Sequence, residues 1–167
     1  GNVDTLIKRV PKALKSHPGL VYERLRWRRR KNMGSAIALA KSLSSDLPYA
    51  TRFWRERGIL ARRALSKGNI TDAYKIAHRN GLSPGGREYA EAEWLSGWIS
   101  LRFLNDHSAA FRHFDRMHRA VKFPISLARG AYWAGRAKEA AGEENLADEW
   151  YHKAAKYSLT FYGQLAL

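Results

Sequence analysis

Apolar side chains recur along the chain at intervals of three and four residues, a pattern that predicts helices throughout. The segment 87–104 shows it most clearly, because its apolar and small side chains fall on one helical face. No segment keeps up the strict apolar–polar alternation of a half-buried strand. Glycine, proline and Asn/Asp residues separate the helical segments. The predicted helices cover about 3–16 with a break at Pro11, 20–31, 35–44, 48–67, 70–79, 83–104, 107–121, 125–141 and 145–157, and a last one begins near 159.

Small residues recur with the spacing of a helical repeat. They form pairs twelve residues apart, and successive pairs are 36 and then 38 residues apart. A repeat of that length indicates stacked helical hairpins, each too small to bury its own apolar face. In such a hairpin, a small residue in the first helix lets the second helix come close. The pairs are Ala61 with Ala73, Gly97 with Ala109, and Gly135 with Ala147.

The last repeat is closest to the tetratricopeptide pattern, with Tyr151 and Ala154 following Gly135 and Ala147 at the expected positions. The middle repeat is looser, because His113 stands where an aromatic residue is expected. The sequence therefore predicts an all-α fold of about ten helices. We expect a tetratricopeptide-like superhelical array of antiparallel hairpins, forming a single domain over residues 1–167.

Composition agrees with a folded helical protein. Of the 167 residues, 45% are hydrophobic and none is cysteine, which excludes a disulfide framework and thiolate metal sites. No apolar stretch approaches the length of a membrane span. The chain opens at Gly1 without a signal-like segment, and we interpret it as a fragment whose parent protein could still be exported.

The net charge of +15 is concentrated in the first part of the chain. Residues 1–67 carry 17 Lys and Arg against 4 Asp and Glu, whereas residues 68–167 carry 13 against 11. Such a field favours polyanionic partners: nucleic acid, anionic lipid, or a carboxylate-bearing polymer such as peptidoglycan. Solvated helix faces, balanced by an acidic neighbouring domain, explain the charge equally well.

A basic run at 24–31 is the sharpest local feature, with Trp27 among its arginines. Cations interleaved with an aromatic ring can bind phosphates and stack on a base. On a helix, however, these charges point around most of the circumference, which favours a structural or intramolecular role. A DNA-reading helix-turn-helix fits poorly, because the array continues as hairpins. The candidate polymer-binding residues of the run are Arg24, Arg26, Arg28, Arg29 and Arg30.

The six tryptophans invite a sugar-binding hypothesis, because flat sugar faces stack on aromatic rings. Trp94 and Trp98 are four residues apart on an amphipathic face, so we expect them in the core. Trp54 and Trp133 are less constrained, and we add both to the candidate polymer-binding residues.

No pattern indicates catalysis, a metal or a cofactor. The histidines lack a His-Glu-x-x-His element, so no zinc site is expected. The paired carboxylates Glu91 with Glu93 and Glu143 with Glu144 are explained by an exposed helix face and a helix start. Gly85 and Gly86 lack the surroundings of a phosphate-binding loop, and we expect no cofactor.

Three segments near the end of the chain, 131–137, 149–155 and 160–166, resemble the soluble lytic murein transglycosylases. Segments 23–29 and 89–98 are similar to the same family, so the resemblance covers nearly the whole chain. In that family such segments belong to an α-superhelical domain ahead of the catalytic domain. The residues that carry the resemblance are Tyr132, Trp133, Gly135, Arg136, Phe161, Tyr162, Gly163 and Gln164.

The resemblance implies a periplasmic bacterial enzyme that cleaves peptidoglycan between N-acetylmuramic acid and N-acetylglucosamine and leaves a 1,6-anhydro end. The family's goose-lysozyme-like catalytic domain uses one Glu, within a Glu-Ser segment, as acid and then base. None of the nine glutamates here is followed by Ser, so no catalytic residue can be assigned. We therefore expect an inactive scaffold fragment, with glycan strands and the missing catalytic domain as partners.

Two other hypotheses remain open. The chain could be a free-standing helical-repeat adaptor that binds a peptide in its groove. The segment 161–166 argues against this, because an adaptor has no need of it. The chain could also be a nucleic-acid-binding scaffold, as the charge of its first part suggests, although no specific nucleic acid is expected.

Overall fold

The computed structural model describes residues 3–167, and these residues are all-helical, which confirms the predicted fold class. They form ten α-helices and a short 3-10 helix at Lys12–Leu14, with no strand. The α-helices are α1 (Val3–Lys8), α2 (Pro18–Arg30), α3 (Ser35–Ser42), α4 (Ala50–Ser66), α5 (Ile70–His78), α6 (Gly86–Arg102), α7 (His107–Ala120), α8 (Pro124–Ala140), α9 (Glu144–Ala155) and α10 (Phe161–Leu165).

Three predicted helix starts are wrong by two or three residues: α2 begins at Pro18, two residues before the predicted start, and the other two are those of α4 and α6. The sequence placed Pro48 and Pro84 inside the first turns, but α4 begins at Ala50 and α6 at Gly86. Tyr49 has φ 61° and Gly85 has φ 109°, and backbone in the left-handed region cannot continue a right-handed helix. Both prolines therefore lie in the connections before the helices.

The chain divides into two compact units, one ending at Gly81 and the other beginning at Leu82. In the first unit, α4 packs against α2, α3 and α5. Its core contains Leu25, Phe53, Leu60 and Ile76, all of them buried. The single domain expected from the sequence stays a prediction.

A buried arginine holds two connections of the first unit together. The guanidinium of Arg57 donates to the carbonyl oxygen of Ser44 at 2.6 Å and to that of Arg79. Burial lowers the pKa of Arg57 to about 10, with a further contribution from the charge of Arg79. Arg57 therefore links the connection after α3 to the end of α5.

The second unit is an array of helical hairpins. Short connections join α6 to α7 and α8 to α9, while α7 packs on α8 and α10 packs on both α8 and α9. Helices that pack side by side across so short a connection run antiparallel. The core combines alanines with two large aromatic side chains. Its buried residues are Ala110, Phe114, Ala131, Ala134, Ala137, Trp150 and Ala154.

The small-residue ladder has the predicted packing role in both hairpins of this unit. A Cβ at Gly97 would lie 2.7 Å from the ring of Phe114, and one at Gly135 would lie 2.7 Å from the ring of Tyr151. Both distances are too short for non-bonded carbons. In the middle repeat, the tetratricopeptide pattern calls for an aromatic residue at position 113, which is His113. The next residue, Phe114, supplies the ring that packs against Gly97.

Candidate functional site

Three arginines of the basic run are held by carboxylates of the same unit. Arg24 Nε and Arg28 Nη2 both lie 2.9 Å from Oδ1 of Asp4 on α1. Burial alone raises the pKa of Asp4, but the hydrogen bonds and charges of the two arginines outweigh it, and the net pKa is lowered. These two candidate residues therefore join α2 to α1.

Arg29 binds Glu56 of α4 with two hydrogen bonds, of 2.6 Å from Nε and 3.0 Å from Nη2. The hydrogen bond to Glu56 raises the pKa of Arg29 despite its partial burial. The main-chain oxygen of Arg29 also accepts a bond of 3.2 Å from Arg63. Arg29 is a structural link between α2 and α4, in agreement with the intramolecular interpretation of the run.

The remaining arginines of the run, Arg26 and Arg30, line a shallow cavity of about 410 Å³ together with Trp27 and Lys31. Arg26 lies 3.7 Å from Glu23 in an exposed ion pair, which holds it only weakly. The run thus provides three cations and a partly exposed indole on one surface of the first unit.

Of the two candidate tryptophans, Trp54 has 2% of its surface exposed and belongs to the core of the first unit. Its ring cannot contact a polymer, so the structure places it away from the role considered for it. Trp133 is partly exposed on α8 and takes part in a larger surface of the second unit.

That surface is a continuous row of partly exposed aromatic and arginine side chains on α6, α8 and α10, which we call the aromatic–arginine strip. The first helix of each of the two hairpins contributes to it, followed by α10. Its members are Trp94 and Trp98 on α6, Arg129, Tyr132, Trp133 and Arg136 on α8, and Tyr162 on α10.

Ring contacts run the length of the strip. The rings of Trp94 and Trp98 stack with centroids 5.8 Å apart, and Trp94 meets Trp133 edge to face at 6.0 Å. Tyr162 lies 6.5 Å from Trp133 and 5.4 Å from Tyr132. Aromatic pairs at these distances and angles stabilise one another, so the rings hold each other in fixed positions.

The two arginines add fixed positive charge to the strip. The guanidinium carbon of Arg129 lies 3.9 Å from the ring centroid of Trp94, a cation–π contact. Arg136 Nε lies 2.9 Å from Glu139, and its Nη1 lies 3.4 Å from the hydroxyl of Tyr132. The hydrogen bond to Tyr132 is the main cause that raises the pKa of Arg136.

Two indole N–H groups of the strip have no acceptor within residues 3–167. Nε1 of Trp94 and Nε1 of Trp133 are both buried and make no hydrogen bond to the described protein atoms. A buried donor without a partner costs the fold free energy, and because both atoms are buried, neither can donate to a ligand that lies on the surface. What the strip offers a ligand is flat rings and cations, which suit a polyhydroxylated or anionic polymer.

Sequence reasoning found only part of this strip. It placed Trp94 and Trp98 in the core and did not single out Arg129. The spacing was a usable signal, because Tyr132 and Trp133 lie three and four residues after Arg129 and four and three residues before Arg136, as on one helical face. What the sequence could not show is that α6, α8 and α10 bring their faces together.

The motif residues at the end of the chain form a tightly capped turn. The hydroxyl of Thr160 donates to the carbonyl oxygen of Tyr157 at 2.8 Å and accepts from the main-chain nitrogen of Gly163 at 3.1 Å. A Cβ at Gly163 would collide with that same carbonyl group, so only glycine fits. Phe161 and Gln164 are exposed, whereas Tyr162 joins the strip.

The sequence placed Glu93 on an exposed helix face, which is wrong, because Glu93 is buried in a polar cluster with His113 and Arg116. This cluster is unsuited to general acid catalysis. Oε2 of Glu93 lies 2.8 Å from His113 Nδ1 and 2.9 Å from Arg116 Nε. Burial by itself raises the pKa of Glu93, but the hydrogen bonds and charges of His113 and Arg116 outweigh it, and the net pKa is lowered. A general acid for glycoside cleavage needs the opposite shift.

Residues 3–167 contain no group of three or more His, Asp or Glu side chains placed to hold a metal ion. In the same part of the chain, no helix has the length and apolar character needed to cross a membrane.

Comparisons of the chain with protein-family models, curated proteins and solved structures find no significant match.

Proposed function

We propose that the chain is a non-catalytic superhelical scaffold of a periplasmic lytic transglycosylase and binds peptidoglycan through the aromatic–arginine strip. The single observation that carries this proposal is the strip, because it brings four of the eight residues of the family resemblance into one surface. These four are Tyr132, Trp133, Arg136 and Tyr162.

The chemistry of the strip supports a glycan ligand. The exposed parts of Trp98 and Tyr132 offer flat apolar surfaces for the apolar faces of sugar rings. Arg129 and Arg136 suit the carboxylates of stem peptides, because guanidinium groups bind carboxylates with paired hydrogen bonds. In this proposal the parent enzyme supplies the catalytic Glu-Ser segment from another domain, and the scaffold positions the strand.

The test is sedimentation of the chain with purified, insoluble peptidoglycan. Changing Trp98→Leu together with Arg129→Gln removes one ring surface and one cation, and we expect binding to weaken about tenfold, which corresponds to 1.4 kcal/mol. The matched control is Arg112→Gln, an exposed arginine of α7 bonded to Ser108, which should bind like the unchanged chain. Equal binding by both variants would reject the strip as the glycan site.

A second assay tests the expected lack of catalysis. The purified chain should release no anhydromuropeptides from the same peptidoglycan, because no glutamate precedes a serine. Release of such products would contradict the scaffold proposal.

A peptide-binding adaptor is the alternative, since the same strip offers tyrosines and arginines on the first helices of hairpins. The adaptor predicts no sedimentation with peptidoglycan and recovery of a peptide whose binding is lost in the Trp98→Leu and Arg129→Gln variant.

A further inference from the structure

Large apolar side chains are exposed at one end of the second unit. Phe123 and Ile125, at the connection between α7 and α8, are 77% and 69% exposed, and Leu159, between α9 and α10, is 98% exposed. Because α7, α8 and α9 are antiparallel neighbours, these two connections lie at the same end of the array. Exposed apolar groups gathered in one place indicate an interaction surface.

The same two connections carry lysines. Lys122 and Lys156 are exposed, and neither has an ion-pair partner within residues 3–167. The start of α6 lies at this end too, with Gly85 next to the carbonyl oxygen of Ala120. Its first residues carry Arg87 beside Glu88, which leaves the end positively charged. We call this surface the lysine end and define it by Phe123, Ile125, Leu159, Lys122 and Lys156.

The opposite end of the unit has the reverse charge. The connections after α6 and α8 and the first residue of α9 carry Asp106, Glu143 and Glu144, which outnumber the exposed Arg102 at the end of α6 and Lys138, the ion-pair partner of Glu143 at 2.9 Å. A field with its positive side at the lysine end would turn that end toward a negatively charged surface.

We propose that the lysine end docks on an anionic lipid surface, with Phe123, Ile125 and Leu159 entering the interface between headgroups and acyl chains. Charge complementarity favours this partner, because lysines next to a membrane are attracted to anionic headgroups. The nearly complete exposure of Leu159 shows a side chain that projects outward, which suits insertion into a planar surface. The inference goes beyond the proposed scaffold function and does not depend on it.

The experiment measures co-sedimentation of the full chain with vesicles of phosphatidylcholine and phosphatidylglycerol, compared with vesicles of phosphatidylcholine alone. The variant Phe123→Ser, Ile125→Ser, Leu159→Ser keeps every charge, and Ser suits the N-cap position that Phe123 occupies before α8. We expect its partition onto the mixed vesicles to fall at least about tenfold, because three apolar side chains no longer leave water.

The matched control changes exposed apolar residues at the acidic end, Leu104→Ser with Leu146→Ser, and should bind like the unchanged chain. A second variant, Lys122→Gln with Lys156→Gln, should bind about tenfold more weakly. Circular dichroism of each variant shows whether the helices are retained.

The first unit is also strongly basic and could adsorb to anionic vesicles by charge alone. The serine variants, which change no charge, therefore decide whether the lysine end is the binding surface. The proposal is overturned if the triple serine variant binds like the unchanged chain, since charge alone would then explain adsorption. It is equally overturned if the Leu104 and Leu146 control loses as much binding, or if vesicles without phosphatidylglycerol bind the chain as well.

Discussion

Glu93 remains charged inside the second unit because two cationic or hydrogen-bonding side chains share its carboxylate. It is 5% exposed, and His113, its partner on α7, is 2% exposed. A buried carboxylate is tolerated only when its oxygens are satisfied, so this cluster fixes how α6 packs against α7.

Replacing Glu93 with Gln keeps the shape and removes the charge. We expect the free energy of unfolding to fall by about 2 kcal/mol, because Arg116 and His113 lose a charged acceptor. Urea denaturation measures the change, and Glu149→Gln, an exposed glutamate, serves as the control. A loss no larger than that of the control would show that the cluster contributes nothing.

The same variant predicts a dependence on pH. Since the pKa of Glu93 is lowered from its ordinary value of 4.5, its charge stabilises the folded state fully above that value. The stabilisation is lost as the pH falls through the folded-state pKa. The difference in unfolding free energy between the unchanged chain and Glu93→Gln should therefore be constant near neutral pH and shrink below 4.5. A difference that grows on acidification would contradict this account.

Position 135 has room only for glycine, because the ring of Tyr151 lies where a Cβ would be. Tyr151 cannot move away freely, since its hydroxyl donates to Glu139 at 2.8 Å and its ring packs on Tyr132. We expect Gly135→Ala to destabilise the chain by about 1–2 kcal/mol, the steric cost being partly offset by the better helix propensity of alanine.

A double-mutant cycle isolates the steric cause. In a Tyr151→Leu background the ring is absent, so Gly135→Ala should become neutral or stabilising when thermal unfolding is measured. An unchanged penalty in that background would place the cause elsewhere.

At the scale of elements, the sequence predicted the existence of the helices well. It predicted the residues at which they begin less well. Helix periodicity is a local property, whereas the starts of α4 and α6 depend on the left-handed backbone of Tyr49 and Gly85. Asparagine is a common N-cap residue, and Asn69 occupies the N-cap position of α5, yet its side chain makes no capping bond, which its type alone could not show.

The sequence also could not show which side chains on different helices form ion pairs. The basic run could be read from the order of residues, but its division into arginines paired with Asp4 or Glu56 and arginines left on the surface could not. That division depends on which helices pack together.

The ion pairs also decide which variant tests nucleic-acid binding. Charge reversal at Arg28 and Arg29 would break ion pairs within the first unit, so Arg26→Glu with Arg30→Glu is the better test.

Arg57 provides a test at the element scale. Arg57→Met keeps much of the volume but leaves the carbonyl oxygens of Ser44 and Arg79 without their donor. We expect a loss of about 2–4 kcal/mol in unfolding free energy, because buried acceptors would be unsatisfied. Arg55→Met, on the exposed side of the same helix, should change stability by less than about 0.5 kcal/mol. Similar losses in both variants would refute the linking role.

At the scale of the whole molecule, the two units have different surface chemistry. The first carries most of the positive charge, and the second carries the aromatic–arginine strip and the lysine end. The scaffold proposal assigns glycan binding to the second unit, and it leaves the charge of the first unit to attract anionic polymers from a distance. Such attraction weakens as salt screens it, whereas ring stacking on the strip should persist.

The most direct test of the glycan-binding claim is a nuclear magnetic resonance titration of the ¹⁵N-labelled chain with soluble peptidoglycan strands. Its readout is the indole N–H signals of the six tryptophans, assigned by single substitutions. Binding at the strip should shift the signals of Trp94, Trp98 and Trp133, and leave that of Trp54, buried in the first unit, in place. Strands that bind without shifting the three strip signals, or that shift none of the six, would contradict the proposed function.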